Sequence, residues 1–252
     1  MIVQVRKLLY GPDADFWSTQ YAVVDRQKTL NKLSGDHVAR FLRTYTRGKF
    51  LEAGCGVCQY SYDLHTRGIT SYGIDYSTKA VRSARKFFPE ISKRIVKGDL
   101  FNLPYKNDFF DTYYSPGVIE HYTNFNDRQK ILAEAYRVLK PNGLFLITVP
   151  YANIAQKLFW PLRYILNKYQ LKRGAVFYQY RYTKSQLKKE LQHAGFEVIH
   201  CVGLNPDYYA RILQRTLSKT WINKTTFMSA LSGHLLGMVA IKKTRREQIY
   251  NK

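Results

Sequence analysis

Cysteine, acidic residues and long apolar runs are all scarce in this chain of 252 residues. Three cysteines are an odd number and too few for a disulfide framework, which favours a reducing compartment. Apolar runs stop well short of the roughly 18 residues that a membrane-spanning helix needs, and the first ten residues lack the apolar core of a signal peptide. We therefore expect a cytoplasmic protein that at most binds the surface of a membrane.

The shortage of acidic residues leaves the chain strongly basic. Eighteen Asp and Glu stand against 40 Lys and Arg, which gives a formal net charge of +22. Residues 151–252 carry most of this excess, with eighteen basic and four acidic side chains. Such an asymmetry indicates an anionic partner, which is nucleic acid, a lipid headgroup surface or a phosphorylated substrate. An ordinary solvated basic surface explains the composition equally well.

Hydrophobic residues make up 45% of the chain, which excludes a disordered protein, and the length suits a single α/β domain. Short β-rich runs alternate with helical patterns, which is typical of a parallel sheet. The pattern predicts seven strands, at 49–52, 71–75, 95–97, 111–114, 144–149, 197–202 and 235–241. It predicts helices at 23–42, 78–88, 127–139 and 184–194.

A glycine turn between the first strand and a helix is the strongest local signal. Gly54 and Gly56 let the backbone approach a ligand closely, beside the free N–H groups of the helix that follows. Asp75 lies nineteen residues after Gly56, at the end of the second strand, where a carboxylate can bind both hydroxyls of a ribose. A dinucleotide motif would need a third glycine at the position of Gln59. The turn and Asp75 therefore indicate a nucleoside ligand other than NAD or FAD.

Five segments in order resemble the motifs of the class I S-adenosylmethionine-dependent methyltransferases, and specifically methyltransferase type 11. These segments are 51–56, 73–77, 98–104, 110–121 and 137–143. The resemblance covers residues 48–150 well and the last strands more loosely. It implies a Rossmann-like α/β fold with a seven-stranded, mostly parallel sheet, helices on both faces and an antiparallel last strand. It also implies direct in-line methyl transfer from S-adenosylmethionine, with no metal.

The same resemblance implies how the cofactor is held. The turn from Gly54 to Gly56 would hold its methionine end, and Asp75 its ribose. Asp99 with Leu100 would hold the adenine, and Ser115 would border the transferring methyl group. The predicted cofactor site as a whole is Glu52, Ala53, Gly54, Gly56, Asp75, Tyr76, Asp99, Leu100 and Ser115. One departure from the family is Cys58, which stands at the usual third glycine and is small enough for close packing.

His121 is the candidate general base. Methyl transfer to an oxygen or nitrogen acid requires removal of a proton, and imidazole titrates near neutral pH. The alternative for His121 is a packing and hydrogen-bonding role at the start of the helix after the fourth strand. Cys55 and Cys58 spell a Cys-x-x-Cys motif, but we expect neither redox nor metal chemistry there. No second cysteine pair exists, and this one lies inside the glycine turn.

The single domain, 1–252, is expected to have four parts. Residues 1–47 form an N-terminal helical lid, with Phe16 and Trp17 as lid residues, and residues 48–150 form the cofactor-binding core. Two insertions, at 151–182 and 205–232, lie on the substrate side. The first insertion mixes aromatic with basic residues, which suits an apolar or planar acceptor carrying anionic groups, stacked bases on a phosphate chain, or an ordinary capping subdomain. The second contains a predicted helix with Arg211, Arg215 and Lys219 on one side, which suits anionic lipid or packing on the domain.

We expect a small or lipid-like acceptor, such as a quinone or a glycolipid. The resemblance favours small acceptors, and no RNA-binding module is recognisable. RNA methylation through the basic C-terminal half is the first alternative, and a catalytically inactive cofactor-binding partner protein is the second. An anionic membrane surface or RNA is the expected partner of the basic half.

Overall fold

Buried β-rich runs and helices alternate along most of the chain. The computed structural model describes residues 2–6, 26–153, 160–172, 176–205 and 234–243. The strands there are β1 Ile2–Arg6, β2 Phe50–Ala53, β3 Ser71–Asp75, β4 Ile95–Lys97, β5 Phe110–Pro116, β6 Leu139–Pro150, β7 Val176–Arg181, β8 Phe196–Leu204 and β9 Leu235–Lys242. The α-helices there are α1 Arg26–Leu33, α2 His37–Tyr45, α3 Gln59–His65, α4 Thr78–Phe87, α5 Phe125–Val138, α6 Trp160–Lys172 and α7 Lys184–His193. Short 3-10 helices cover Pro89–Arg94 and Ile119–His121.

Seven strands form one sheet in the order β4-β3-β2-β5-β6-β9-β8. The pairs among β2, β3, β4, β5 and β6 are parallel, while β9 is antiparallel to both of its neighbours. All seven predicted strands are present. The predicted fold class, a Rossmann-like, mostly parallel seven-stranded sheet whose last strand is antiparallel, is therefore confirmed.

Helices cover both faces of this sheet. Leu51 packs in a cluster with Ile131 and Leu132 of α5, whereas its neighbour Phe50 packs with Val38 of α2. Successive residues of a strand point to opposite faces, so α5 and α2 lie on opposite sides. This double coverage explains why consecutive residues of β2, β3 and β5 are buried, including polar ones such as Glu52 and Thr112.

The N-terminal region departs from the helical lid predicted at 1–47. β1 is a strand that pairs antiparallel with β7, because its β-branched residues suit an extended ribbon. The helix predicted at 23–42 is divided into α1 and α2. Asp36 starts the second helix by accepting hydrogen bonds from the backbone N–H groups of Val38, at 2.6 Å, and Ala39, at 3.2 Å. The helical prediction was therefore wrong for β1 and for the break before α2.

The first predicted insertion, 151–182, contains α6 and β7. α6 lies on β1, where the Asn167 side chain donates a hydrogen bond to the carbonyl of Val3 at 2.8 Å. After β7 the backbone of Tyr182 bonds to Pro150 and Ala152, both at 2.8 Å, which returns the chain to the end of β6. In the described part of the chain, no helix combines the length and the apolar character needed to cross a bilayer.

Some predicted features lie outside the described residues. The first is the pair of candidate lid residues, Phe16 and Trp17. The second is most of the insertion at 205–232, with the basic side of its predicted helix, Arg211, Arg215 and Lys219.

Candidate active site

The glycine turn after β2 bends the chain sharply beside β3. Gly54 and Gly56 have φ angles of +80° and +54°, a conformation open mainly to glycine. The N–H groups of Gly54 and Cys55 donate to the carbonyl of Ile74 at 2.8 and 3.0 Å. A Cβ on Gly54 would lie only 2.6 Å from Cγ2 of Val118, so space as well as conformation requires glycine. The turn thus presents bare backbone where a side chain would not fit.

Asp75 lies at the end of β3 and is buried. Its Oδ2 accepts a hydrogen bond from the N–H of Gly56 at 2.7 Å, and its Oδ1 accepts one from the N–H of Ser77 at 2.8 Å. Burial raises the pKa of the Asp75 carboxyl, and the two backbone hydrogen bonds oppose that rise. Asp75 therefore joins the glycine turn to β3, and its predicted bond to a ribose stays a prediction.

Glu52 and Ala53 lie behind the turn. Glu52 is only 1% exposed, and its Oε2 accepts hydrogen bonds from the N–H and the hydroxyl of Ser61 at 2.8 and 2.7 Å. Burial raises the pKa of the Glu52 carboxyl to about 8. Ala53 is fully buried in the main apolar cluster. Glu52 thus joins β2 to α3, and the predicted part of both residues in cofactor binding stays a prediction.

The other four predicted cofactor residues follow the carboxyl ends of β3, β4 and β5. The Tyr76 side chain is 59% exposed. Leu100 is buried, and its Cδ1 lies 4.0 Å from the place that a Cβ on Gly54 would take. Asp99 is exposed and accepts a hydrogen bond within its own loop. The Ser115 hydroxyl is buried and has no hydrogen-bond partner among the described residues.

His121 links the core of the sheet to the first insertion. Its Nδ1 lies 2.7 Å from the carbonyl oxygen of Tyr178 in β7, and the two rings are in T-shaped contact. A carbonyl oxygen can only accept, so Nδ1 carries the hydrogen, and in the neutral ring Nε2 is left with the lone pair. This tautomer is the one that a general base at Nε2 requires.

Glu120 is a residue near this site that sequence reasoning did not select. It is 2% exposed, its Oε2 has no hydrogen-bond partner among the described residues, and burial raises the pKa of its carboxyl to about 8. Its Oε1 lies 3.1 Å from the place of a Cβ on Gly117. The only signal in the sequence is an acidic residue directly before the candidate base. Its burial depends on packing and has no local sequence signature.

The structure joins Cys55 and Cys58 of the Cys-x-x-Cys motif by a disulfide. Both side chains are buried and pack in a cluster with Val81 and Ala84 of α4. Cys58 has a φ of +56°, so this cysteine keeps the left-handed backbone that favours glycine. Gly73 of β3 lacks a Cβ where the Cys58 sulfur lies. The pair therefore packs the turn against β3 and α4.

Residues 51–147 match the family described as methyltransferase domain. This segment contains the glycine turn, Asp75, Ser115 and His121. The match thus places a methyltransferase domain of the class I, S-adenosylmethionine-dependent kind at residues 51–147. The predicted family and its cofactor, S-adenosylmethionine, are thereby confirmed.

Curated relatives of this methyltransferase differ in the acceptors that they name. A tRNA (carboxymethyluridine(34)-5-O)-methyltransferase of Arabidopsis thaliana is 34% identical over 113 residues, which are 44% of this chain and 26% of that protein. A 2-methyl-6-phytyl-1,4-hydroquinone methyltransferase of Oryza sativa is 29% identical over 145 residues, 57% of this chain and 39% of that protein. This chain thus spans well under half the length of these two relatives. An uncharacterised methyltransferase of Synechocystis is 29% identical over 192 residues, 73% of this chain and 86% of that protein.

Solved structures share the fold at low sequence identity. A chain of the Haloferax volcanii complex between the Trm112 methyltransferase activator and a methyltransferase aligns with a TM-score of 0.64 and 16% identity, covering 96% of this chain and all of that one. Geranyl diphosphate C-methyltransferase of Streptomyces coelicolor aligns with a TM-score of 0.59 and 14% identity, covering 81% and 78% of the two chains. At these identities the likeness shows the fold alone.

The site has features that S-adenosylmethionine requires. Gly54 and Gly56 present bare backbone at the turn, and Asp75 keeps lone pairs beyond those used by two backbone N–H groups. The buried Ser115 hydroxyl offers a polar group that is otherwise unsatisfied among the described residues. When bound, S-adenosylmethionine supplies an electrophilic methyl group. The roles of the nine cofactor residues and of His121 stay predictions.

Replacing Gly54 with alanine is expected to lower the affinity for S-adenosylhomocysteine at least about tenfold, because the new methyl group must displace Val118 or the backbone of the turn. Gly68→Ala is the matched control. Gly68 has a similar φ of +85°, but nothing lies within 4 Å of its Cβ position. Both variants should therefore lose similar stability from backbone strain, about 1–2 kcal/mol. Calorimetric titration measures binding, and equal affinities in the two variants would contradict a close approach at Gly54.

Asp75→Asn is expected to weaken S-adenosylhomocysteine binding roughly 10- to 100-fold, the effect of losing charge-assisted hydrogen bonds of about 1.5–3 kcal/mol. The amide keeps the size of the side chain but can accept at only one of its two polar atoms. Calorimetric titration again measures the effect, with Asp127→Asn on α5 as a control acid away from the turn. An unchanged affinity in a folded Asp75→Asn variant would remove this carboxylate from the site.

Proposed function

We propose that this methyltransferase transfers the methyl group of S-adenosylmethionine directly to a small or lipid-like acceptor, and that His121 takes up the acceptor's proton. The hydrogen bond between His121 and the carbonyl of Tyr178 carries the proposal. It brings the end of the cofactor-binding core, after β5, against β7 of the first insertion. The candidate base therefore lies where the core and the insertion meet.

His121 is oriented for this task by its backbone partner. The Tyr178 carbonyl holds the proton on Nδ1, so Nε2 can accept one from an acidic hydroxyl or amine. Orientation and exclusion of water are the main contributions of the protein to an in-line displacement. Near this junction Tyr182 is fully buried and Tyr151 is 9% exposed, which keeps the adjoining region apolar.

A lipid-like acceptor is supported by two observations. The rice relative is named for 2-methyl-6-phytyl-1,4-hydroquinone, a hydroquinone that carries a phytyl chain. Residues 151–182 place the Tyr178 ring in contact with the candidate base, and such a ring suits an apolar or planar acceptor better than a small charged one.

RNA is the second candidate acceptor. The Arabidopsis relative is named for a tRNA position, and the net charge of +22 favours a phosphate backbone. A localisation in the cytoplasm, with an anionic surface as partner, is compatible with either acceptor and is proposed on charge alone.

Incubation with methyl-labelled S-adenosylmethionine distinguishes these candidates. The protein is mixed separately with a detergent-solubilised lipid extract and with total RNA, and the label is followed by mass. Label in the lipid fraction is the expected result. Label in RNA alone, with binding that falls steeply as salt is added, would overturn the lipid proposal. Label in neither fraction, with intact S-adenosylhomocysteine binding, would indicate the catalytically inactive partner protein instead.

A further inference from the structure

α6 has more exposed large hydrophobic residues than any other element in the described part of the chain. Seven large hydrophobic residues are exposed there, and four of them lie in α6, namely Tyr164, Ile165, Tyr169 and Leu171. Ile165 is the most exposed of the seven, at 64%. Single exposed apolar residues are common on soluble proteins, but a group on one helix marks an interaction surface.

The orientation of α6 places part of this group on the side away from the protein. Asn167 faces β1, because its side chain donates to the carbonyl of Val3. Residues on a helix are separated by about 100°, so Ile165 and Tyr169, two positions before and after Asn167, lie on the opposite side. Lys168 and Lys172 are exposed one turn apart at the border of that side. Residues 160–172 contain no acidic side chain.

We propose that this outward face of α6, formed by Ile165, Lys168, Tyr169 and Lys172, docks on an anionic lipid bilayer. An interfacial helix buries apolar side chains at the boundary between headgroups and acyl chains, while its lysines bind anionic headgroups. Tyrosine suits the same boundary, because its ring is apolar and its hydroxyl is polar. The net charge of +22 attracts the whole protein to such a surface.

The exposed aliphatic side chain of Ile165 favours a bilayer over RNA as the partner of the docking face. Single-stranded RNA would stack on tyrosine rings and pair with lysines, but it offers no apolar environment for a side chain as exposed as Ile165. A bilayer accommodates all four residues of the docking face at once. The experiment that tests docking must therefore also measure RNA binding, which is the alternative.

The position of α6 connects the docking face to the candidate base. α6 lies on β1, β1 pairs with β7, and the Tyr178 carbonyl of β7 holds His121. The candidate base is thus connected to the docking face through a two-stranded ribbon. This link to catalysis rests on the proposed lipid-like acceptor, whereas the docking itself is tested by binding alone.

Sedimentation with vesicles tests the proposal. The full chain should bind vesicles of phosphatidylcholine mixed with phosphatidylglycerol, and should bind phosphatidylcholine vesicles at least about tenfold more weakly. Ile165→Asp should lower the affinity for the mixed vesicles at least about tenfold, because a carboxylate replaces the apolar contact and repels the headgroups. Ile199→Asp is the matched control. Ile199 is 53% exposed on β8, and this change should alter the affinity by less than about twofold.

Charge reversal provides a second, independent variant. Lys168→Glu with Lys172→Glu should weaken vesicle binding at least about tenfold, whereas Lys188→Glu with Lys189→Glu, which changes two exposed lysines of α7, should weaken it about threefold at most. Equal losses in the two double variants, with Ile165→Asp unaffected, would overturn the proposal in favour of non-specific attraction to charge. Loss of oligouridylate binding in the α6 variants, with vesicle binding unchanged, would assign the face to RNA. Neither outcome depends on methyl transfer to a detergent-solubilised acceptor, so failure of the docking face and failure of the proposed acceptor are distinguishable.

Discussion

His121→Ala should lower the turnover of the methyltransferase at least about a hundredfold, and leave the affinity for S-adenosylhomocysteine within about twofold of the wild-type value. Loss of a general base typically slows proton transfer by two to four orders of magnitude. Binding should survive, because His121 bonds to Tyr178 in β7, whereas Asp75 bonds to the glycine turn. Initial rates with the identified acceptor and calorimetric titration measure the two quantities.

Two control variants separate catalysis from packing. His193→Ala changes an exposed histidine at the end of α7 and should leave the rate within about twofold, as expected for a surface position. Glu120→Gln tests the neighbouring carboxyl, whose pKa of about 8 keeps it mostly protonated at neutral pH. An amide resembles that neutral acid, so this variant should lose much less activity than His121→Ala. The opposite order of effects would assign the proton acceptor to Glu120.

Arg128→Met should lower the free energy of unfolding by about 3–5 kcal/mol, the range found when one partner of a buried ion pair is removed. The Arg128 side chain is 3% exposed and bonds to both oxygens of Glu190, at 3.0 to 3.2 Å. Its Nη1 also donates to the carbonyls of Tyr122 and Thr123, at 2.9 and 3.0 Å. The variant leaves the Glu190 carboxylate buried without its cation and two carbonyls without a donor.

Urea unfolding measures this loss, and the double variant Arg128→Met with Glu190→Leu should recover part of it, because no charge is then left unpaired. Lys130→Met, at an exposed position on the same helix, is the control and should change stability by less than about 0.5 kcal/mol. A loss below about 1 kcal/mol for Arg128→Met would show that water reaches the pair. The result bears on function because this pair joins α5 to α7, and Arg128 also lies over the ring of Tyr180 in β7.

The local features of the cofactor site could be predicted from the sequence. Gly54 and Gly56 adopt the positive φ angles that their residue type suggests, and Asp75 lies at the end of a strand as predicted. All seven strands of the sheet follow from short apolar runs between turn residues. These features depend on a few neighbouring residues, so a local pattern is sufficient to predict them.

Other features depend on contacts between distant parts of the chain. The N-terminal residues form a strand and not a helix because β7, about 175 residues later, supplies a pairing edge. The break between α1 and α2 at Asp36 depends on neighbouring residues, but the apolar pattern of one long helix continues across it and conceals it in the sequence. The burial of Glu120 requires packing that no single segment specifies.

The sequence by itself therefore determined the strands of the sheet, the glycine turn and the carboxylate at the end of β3, because each arises from local backbone conformation and spacing. The tertiary structure alone decided that His121 meets Tyr178, that Arg128 meets Glu190, and that α6 turns Ile165 outward. These contacts join segments about 60 or more residues apart, or depend on which side of a helix packs inward. Long-range packing selects them, and a local pattern contains no information about the partner.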